Sequence, residues 1–273
     1  VQQFIHPITR KPIKLGRRHR SARTRKSIFK GLAMAKFLSE LPAAPASCDN
    51  TFDITSWGVM LNDQLGDCTI AACGHLIQVW TASQDSEKTV PDSAILSDYE
   101  AWCGYVNGDP STDDGGIISV VIEDWQNQGL AGYDIIEHAP VTLSIERIQQ
   151  AIYLLGALDG GVELPVTAQN QVGGVWEVVG DGQTGDSTPG SWGGHSTAIV
   201  AYDAAGLTCV TWGALQRMTW NFFMTYYDEA WGIISPNWKS PFPTSVLEND
   251  LSQLSGSEGT GIPVSLPPFV VNP

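Results

Sequence analysis

A thiol and an imidazole are the side chains in this sequence best placed to do chemistry together. Cys68 ends the run Asn62-Asp63-Gln64-Leu65-Gly66-Asp67-Cys68 and opens an apolar segment, 69–80, with a helical pattern. His195 follows Trp192-Gly193-Gly194 and opens an alternating segment, 195–202, that reads as a strand. A thiol at a helix N-terminus faces unpaired backbone N–H groups that favour the thiolate, and an imidazole on a rigid strand can take up its proton. The pair has the chemistry of a cysteine nucleophile and its base. Asn62 and Gln64, amides six and four residues ahead of Cys68, are candidate donors to an oxyanion. Thr211 and Gln216 are candidates for orienting His195, and Asp67 for capping the helix.

Both reactive residues need elements that hold them rigidly. Residues 69–80 put Ala72, Leu76, Val79 and Trp80 on one broad face, a core-facing helix for Cys68 to start. Further helices are predicted over 27–41, 93–105, 117–128 and 143–155, the last opened by Thr142 or Ser144. From residue 160 the period changes, and strands are predicted over 161–166, 174–179, 195–202, 207–212, 219–227 and 231–234, with 203–206 as a short hairpin turn. The glycine-rich stretch 180–194 lacks phosphate-loop spacing and reads as a surface loop leading to His195. A helical half followed by a β half leaves a cleft between them, where one residue from each can meet.

With 273 residues, 42% of them hydrophobic, the chain can bury a substantial core. No stretch approaches the ~20 apolar residues that span a bilayer, so a soluble protein is expected. Five cysteines leave at least one unpaired within the chain, and Cys73 and Cys209 read as small core residues. Cys68, Cys73 and His75 fit no usual zinc spacing, so neither a metal nor a cofactor is expected. His75 and His138 read as ordinary polar residues, and the scattered tryptophans as an aromatic core.

The net charge of −14 conceals a division. Eleven of the fifteen Lys and Arg lie in the first 36 residues, which hold no acid, whereas the remaining 237 carry four Lys or Arg against all 29 acids, a net of −25. A basic arm on an acidic body can dock on its own domain or on a neighbouring copy. Nucleic acid is disfavoured as a partner, because no aromatic is interleaved within 17–26 to stack on bases. The far end, 251–273, is rich in Ser, Gly and Pro and reads as an irregular arm.

Taken in order, these residues resemble the papain-like cysteine peptidases. Asn62, Gly66 and Cys68 stand where that family has a Gln, a Gly and the nucleophilic Cys at the head of the central helix. Gly115-Gly116 leads into the helix of 117–129 as a Gly-Gly pair does in the family, and the unit 148–164 looks like its helix running into a Gly-started strand. The run His195-Ser196-Thr197-Ala198-Ile199-Val200-Ala201-Tyr202 is similar to the family's His strand, and Val210-Thr211-Trp212-Gly213 takes the place of Asn-Ser-Trp-Gly. The likeness covers about 57–234, with 127 residues between Cys68 and His195. It departs in two places: Val210 replaces the Asn that orients the His, and Asn62 the longer oxyanion-binding Gln.

The resemblance implies an α+β, papain-like fold: a helical left domain and an antiparallel β-barrel-like right domain, with the active-site cleft between them. The expected division is 1–50, basic arm and linker; 51–158, helical half; 159–240, β half; and 241–273, C-terminal arm. The expected function is cleavage of peptide (amide) bonds in a peptide or protein substrate by Cys68 and His195, slowed by the two departures. The alternative is a catalytically retired member serving as a coat, filament or particle subunit, assembled through its two arms. An extracellular or particle-associated setting is favoured over a cytoplasmic one.

Overall fold

The computed structural model describes residues 4–19 and 25–256. In chain order its elements are α1 (Arg25–Glu40), β1 (Cys48–Asp49), α2 (Cys68–Ala82), α3 (Asp92–Cys103), α4 (Ile118–Gln128), β2 (Glu137–Pro140), α5 (Ile145–Leu155), β3 (Leu158–Leu164), β4 (Val175–Trp176), β5 (Gly193–Tyr202), β6 (Gly206–Thr211), β7 (Ala214–Thr219), α6 (Trp220–Tyr226), β8 (Tyr227–Ile234) and α7 (Ser245–Gly256). The architecture is α+β, helices first and strands second, as the change of period implies.

The helix that starts at Cys68 is a core helix rather than an amphipathic one, since every residue from 68 to 81 is buried. Two of its polar members, Gln78 and His75, are held in place. The Gln78 amide donates to the Ser56 carbonyl, Glu87 and Thr89, while His75 lies edge-on to Trp57 and beside Gln78. Around α2, an apolar cluster gathers Ile95 and Tyr99 of α3, Val121, Ile122 and Trp125 of α4, and Ala198, Val200 and Val210 from the sheet. The second cluster lies on the sheet's other face. Its helical members come from α5 (Ile148, Ala151, Ile152, Leu155), from α1 (Met34, Leu38), from α6 (Phe222, Phe223, Tyr226) and from α7 (Leu247, Leu251). Thus α5, which the sequence order groups with the helical half, packs its apolar side chains with the β half.

The strands form one sheet in the order β2-β8-β3-β5-β6-β7-β4, antiparallel except for the terminal β4–β7 pair, with β1 also on β5. The two edges, β2 and β4, do not meet, so the expected barrel-like half is an open sheet. β4 has two residues where a longer strand was expected, because the chain turns through the loop of 177–192. The strand expected over 219–227 is divided differently: Thr219 ends β7 and caps α6, its hydroxyl accepting from the Phe222 N–H at 3.1 Å. Phe222, Phe223 and Tyr226 then share the buried face of a short helix; an apolar run of this length carries no period that separates helix from strand.

The ends differ from expectation as well. Residues 245–256 form α7 instead of an irregular arm, its Leu247 and Leu251 fully buried one turn apart. The arm beyond residue 256 lies outside the described residues. α1 is fastened by Met34 and Leu38, whose burial contributes about 3–6 kcal/mol together. It is also held by Lys30, which donates to Glu137 of β2 at 2.7 Å. The Ser255 hydroxyl of α7 donates to the other oxygen of Glu137 at 3.0 Å, so one carboxylate ties α1, β2 and α7 together. No described helix is long and apolar enough to cross a membrane.

Candidate active site

Two elements deliver the reactive pair. Cys68 is the first residue of α2, so its thiol sits where the helix N–H groups are unpaired. His195 is the third residue of β5, opposite Val162 of β3. The Cys68 thiol lies against the backbone of Ser196, the residue after His195, so the helix and the strand meet at one place.

The imidazole is fixed from two sides. Its Nε2 lies 2.6 Å from the Thr211 hydroxyl, and its ring stacks on Trp212 at 4.5 Å and 18°. Strand alternation explains why Thr211 and not Val210 fills this role. Val210 faces the helical cluster, fully buried, and the next residue faces the opposite side. Trp212 and Gly213 form the two-residue turn between β6 and β7, both with positive φ, 49° and 75°. A tryptophan there costs about 1–2 kcal/mol. Stacking on His195 and the Trp212 indole N–H, donated to the Lys14 carbonyl at 2.9 Å, offset that cost.

Gln216 does not reach His195. It lies on β7, and its amide holds the turn before β4 through Gly173 N–H and the Gly174 carbonyl. Gln64 is exposed. Asn62 is buried, and both its amide hydrogens are engaged, by the Leu65 carbonyl at 3.2 Å and by Asp67 at 3.1 Å. Asp67 itself makes no side-chain cap bond to α2. Burial raises its pKa well above the ordinary carboxylate range. Neither amide is thus free for the thiol, which meets backbone groups instead, those of Ser196 and Gly16 and the start of α2.

The site is closed by the chain's own beginning. Residues 14–18 run through the cleft as an extended strand between the helical half and the sheet. The Lys14 N–H donates to the Asn62 carbonyl at 3.3 Å, Gly116 N–H to the Gly16 carbonyl at 2.8 Å, Arg17 N–H to the Gly194 carbonyl at 3.1 Å and Arg18 N–H to the Gly116 carbonyl at 2.7 Å. The backbone of Gly16 lies on the Cys68 thiol. Glycine is required in the walls: a Cβ on Gly115 would stand 1.6 Å from the Gly16 carbonyl oxygen, and one on Gly194 2.4 Å from that of Arg17. Asp113 braces the helical wall, accepting from Gly66 N–H at 2.8 Å and from the Tyr99 hydroxyl at 2.7 Å, which in turn accepts from Gly115 N–H.

Closure sets the protonation of the pair. Burial pushes the Cys68 thiol up to about 12, the charges of Asp67 and Asp159 acting in the same sense against the backbone N–H groups of Ser196 and Gly16. Burial, then the nearby positive charge of Arg17, pushes His195 down to about 3. Both groups are neutral under the strand. Behind them Asp159 accepts from the Ser196 hydroxyl at 2.6 Å, and burial lifts it to about 7.

Arg17 is the residue that sequence reasoning missed. Its guanidinium donates to Glu163 of β3 at 2.9 Å, to Asp228 of β8 at 2.6 Å and to Glu229 of β8 at 2.7 and 3.1 Å, with 1% of the side chain exposed. The signal was present in the basic arm and in Glu163, the one acid of the run 161–166 that reads as a strand. His19, Glu163 and Asp228 bring ligand-type atoms together, but Arg17 already neutralises these two carboxylates. All five cysteines are free, with Cys73 and Cys209 fully buried in the core.

Sequence comparison finds no matching family model and no matching curated protein. Solved structures do match. Xylellain, a cysteine protease from Xylella fastidiosa, superposes with a TM-score of 0.57 at 13% identity, over 86% of this chain and 98% of its own. Procathepsin B S9 from Trypanosoma congolense gives 0.52 at 11%, over 81% and 86%. A chain from the mite-allergen pair Blo t 1 and Der p 1 gives 0.50 at 11%, over 71% and 72%. The chain therefore has the papain-like fold, in a divergent form.

Proposed function

We propose that the protein is a cysteine peptidase of papain type, held closed by residues 14–18. The observation that carries this reading is the extended strand laid over Cys68. The cleft binds a peptide through main-chain hydrogen bonds alone at Gly116 and Gly194, with its backbone at the thiol. On release of the strand, water and the N-terminus of α2 stabilise the thiolate, and the thiol proton passes to His195. With Nε2 donating to Thr211, Nδ1 is the basic atom. The thiolate adds to a substrate carbonyl; His195 then protonates the leaving amine, and water hydrolyses the thioester. The Cys68 N–H and the start of α2 hold the oxyanion. Without a free side-chain amide there, the rate falls by about 10²–10³.

The test keeps the chain intact through folding. A recognition sequence for a site-specific protease is inserted at 20–24, between the strand and α1, and cut after purification. An epoxide or iodoacetamide probe then labels Cys68 ahead of the other thiols, and peptide cleavage follows. His195→Ala removes the selective labelling, and Cys68→Ser the cleavage. Equal labelling of all accessible thiols with no cleavage after the strand has left would sink the reading and leave the fold as a structural scaffold.

A further inference from the structure

The contacts of the closing strand divide into two kinds. Those at Gly116 and Gly194 are main-chain bonds that any peptide can make. Those at Glu163, Asp228 and Glu229 are made by one side chain, Arg17. We propose that these three carboxylates are a specificity pocket for arginine in the peptide substrate, at the position adjoining the residue whose carbonyl meets Cys68. The proposal rests on the peptidase reading, and adds to it the class of substrate.

Three features show a built pocket rather than a chance gathering of acids. It is seen occupied, by a guanidinium closed off from water on four hydrogen bonds. Its shape is held by the body: the Trp231 indole N–H donates to the second oxygen of Glu229 at 2.8 Å, turning the first toward Arg17. Gly161 provides the space, since a Cβ there would lie 2.5 Å from Arg17 Nε.

Charge then decides what replaces Arg17 once the strand has left. Beyond the cut, from residue 25 on, the cations are Arg25, Lys26, Lys30 and Lys36 of α1 and Lys88, Arg147, Arg217 and Lys239. Arg217 is paired with Asp203 and Arg147 with Glu146 and Gln150. Lys30 is taken up by Glu137, and none of the others makes a described contact with the trio, so among the described contacts three half-buried carboxylates are left without Arg17's charge. A neutral or acidic side chain leaves them uncompensated. Arginine answers all three with a planar set of donors, whereas lysine lacks the Nε–H that reaches Glu229.

The test uses the inserted and cut chain, with two readouts. In a mixed peptide library, with cleavage sites read by mass spectrometry, arginine is enriched at least tenfold beside the cleaved residue, and Glu229→Gln reduces that enrichment severalfold. Glu163→Gln serves if that variant does not fold. In the second readout, a labelled peptide of residues 12–19 binds the cut Cys68→Ala chain after its own strand is washed off. Its Arg17→Leu version binds at least 30-fold more weakly, whereas an Arg18→Leu version, altered at an exposed side chain, binds within threefold. Cleavage without arginine enrichment, or equal loss from the two peptide changes, overturns the pocket and leaves the peptidase standing. Arginine-dependent binding with neither cleavage nor labelling of Cys68 keeps the pocket and overturns the peptidase.

Discussion

Arg17 and His195 lie in one cleft and are equally closed to water, yet one keeps its charge and the other has lost it. Burial opposes the charge on both. For Arg17 the hydrogen bonds and charges of Asp228 and Glu229 outweigh burial, and its pKa is raised further. His195 has a neutral hydroxyl and a tryptophan face for partners and no carboxylate to oppose burial or the nearby charge of Arg17, so the ring stays neutral to about pH 3. Burial keeps the Cys68 thiol protonated as well, and there the charges of Asp67 and Asp159 add to the effect of burial instead of opposing it. The difference lies in what each group meets. Where carboxylates surround a buried cation it becomes an anchor, and where they are absent the same burial leaves an imidazole neutral.

The comparison can be broken at each member, and the largest effect belongs to the reactive pair. In the cut chain, Cys68→Ala or His195→Ala lowers peptide cleavage by roughly 10³-fold or more, measured as kcat/KM. A smaller loss would mean that the pair does not share one step. Next comes the anchor. Arg17→Leu in the uncut chain removes four charge-assisted bonds to carboxylates that are partly screened by water, about 2–3 kcal/mol of strand docking. That corresponds to a roughly 30- to 150-fold rise in the rate at which a thiol probe finds Cys68. An unchanged rate would assign closure to the main-chain bonds alone.

Acid comes third. In the Cys68→Ala chain, where the ring has no thiol proton to take, His195 is neutral above pH 6.5 whether covered or exposed, and closure does not depend on its proton. As pH falls below 6.5 an uncovered ring binds a proton that the covered ring refuses until about pH 3, so release gains up to tenfold per unit, roughly 30-fold at pH 5. Protease sensitivity of 14–18, followed from pH 7 to pH 5, reads this directly; a flat profile would show that the strand does not cover the ring. The smallest effect is the hydroxyl. Thr211→Val leaves Nε2 without its partner and lowers kcat by about tenfold with little change in KM, and Thr211→Ser restores it. Equal rates for the three would make Trp212 the sole orienter.

Local pattern carried much of this in advance. The position of Cys68 at a helix start and of His195 at a strand start was legible because apolar spacing and the preceding Gly66 and Gly193-Gly194 are properties of neighbouring residues. Thr211 was legible only as one of several candidates. Alignment on Trp212-Gly213 pointed to Val210, and the alternation of β6 turned the neighbour toward the ring instead. Gln216 and Asn62 carried suitable amides, but contacts from other segments engaged them first. The run 219–227 was misread because its period is ambiguous, and the cap at Thr219 resolved it toward helix.

The sequence by itself determined the order of helices and strands, the two reactive residue types at element starts, and the division of charge between arm and body. Each depends on spacings of a few residues or on composition. Only the tertiary structure decided that the arm's Arg17 meets acids 146 to 212 residues away, that residues 14–18 cover the thiol, and that thiol and imidazole are consequently neutral. Protonation and charge pairing are sums over everything packed around a group, and most of those neighbours come from distant parts of the chain.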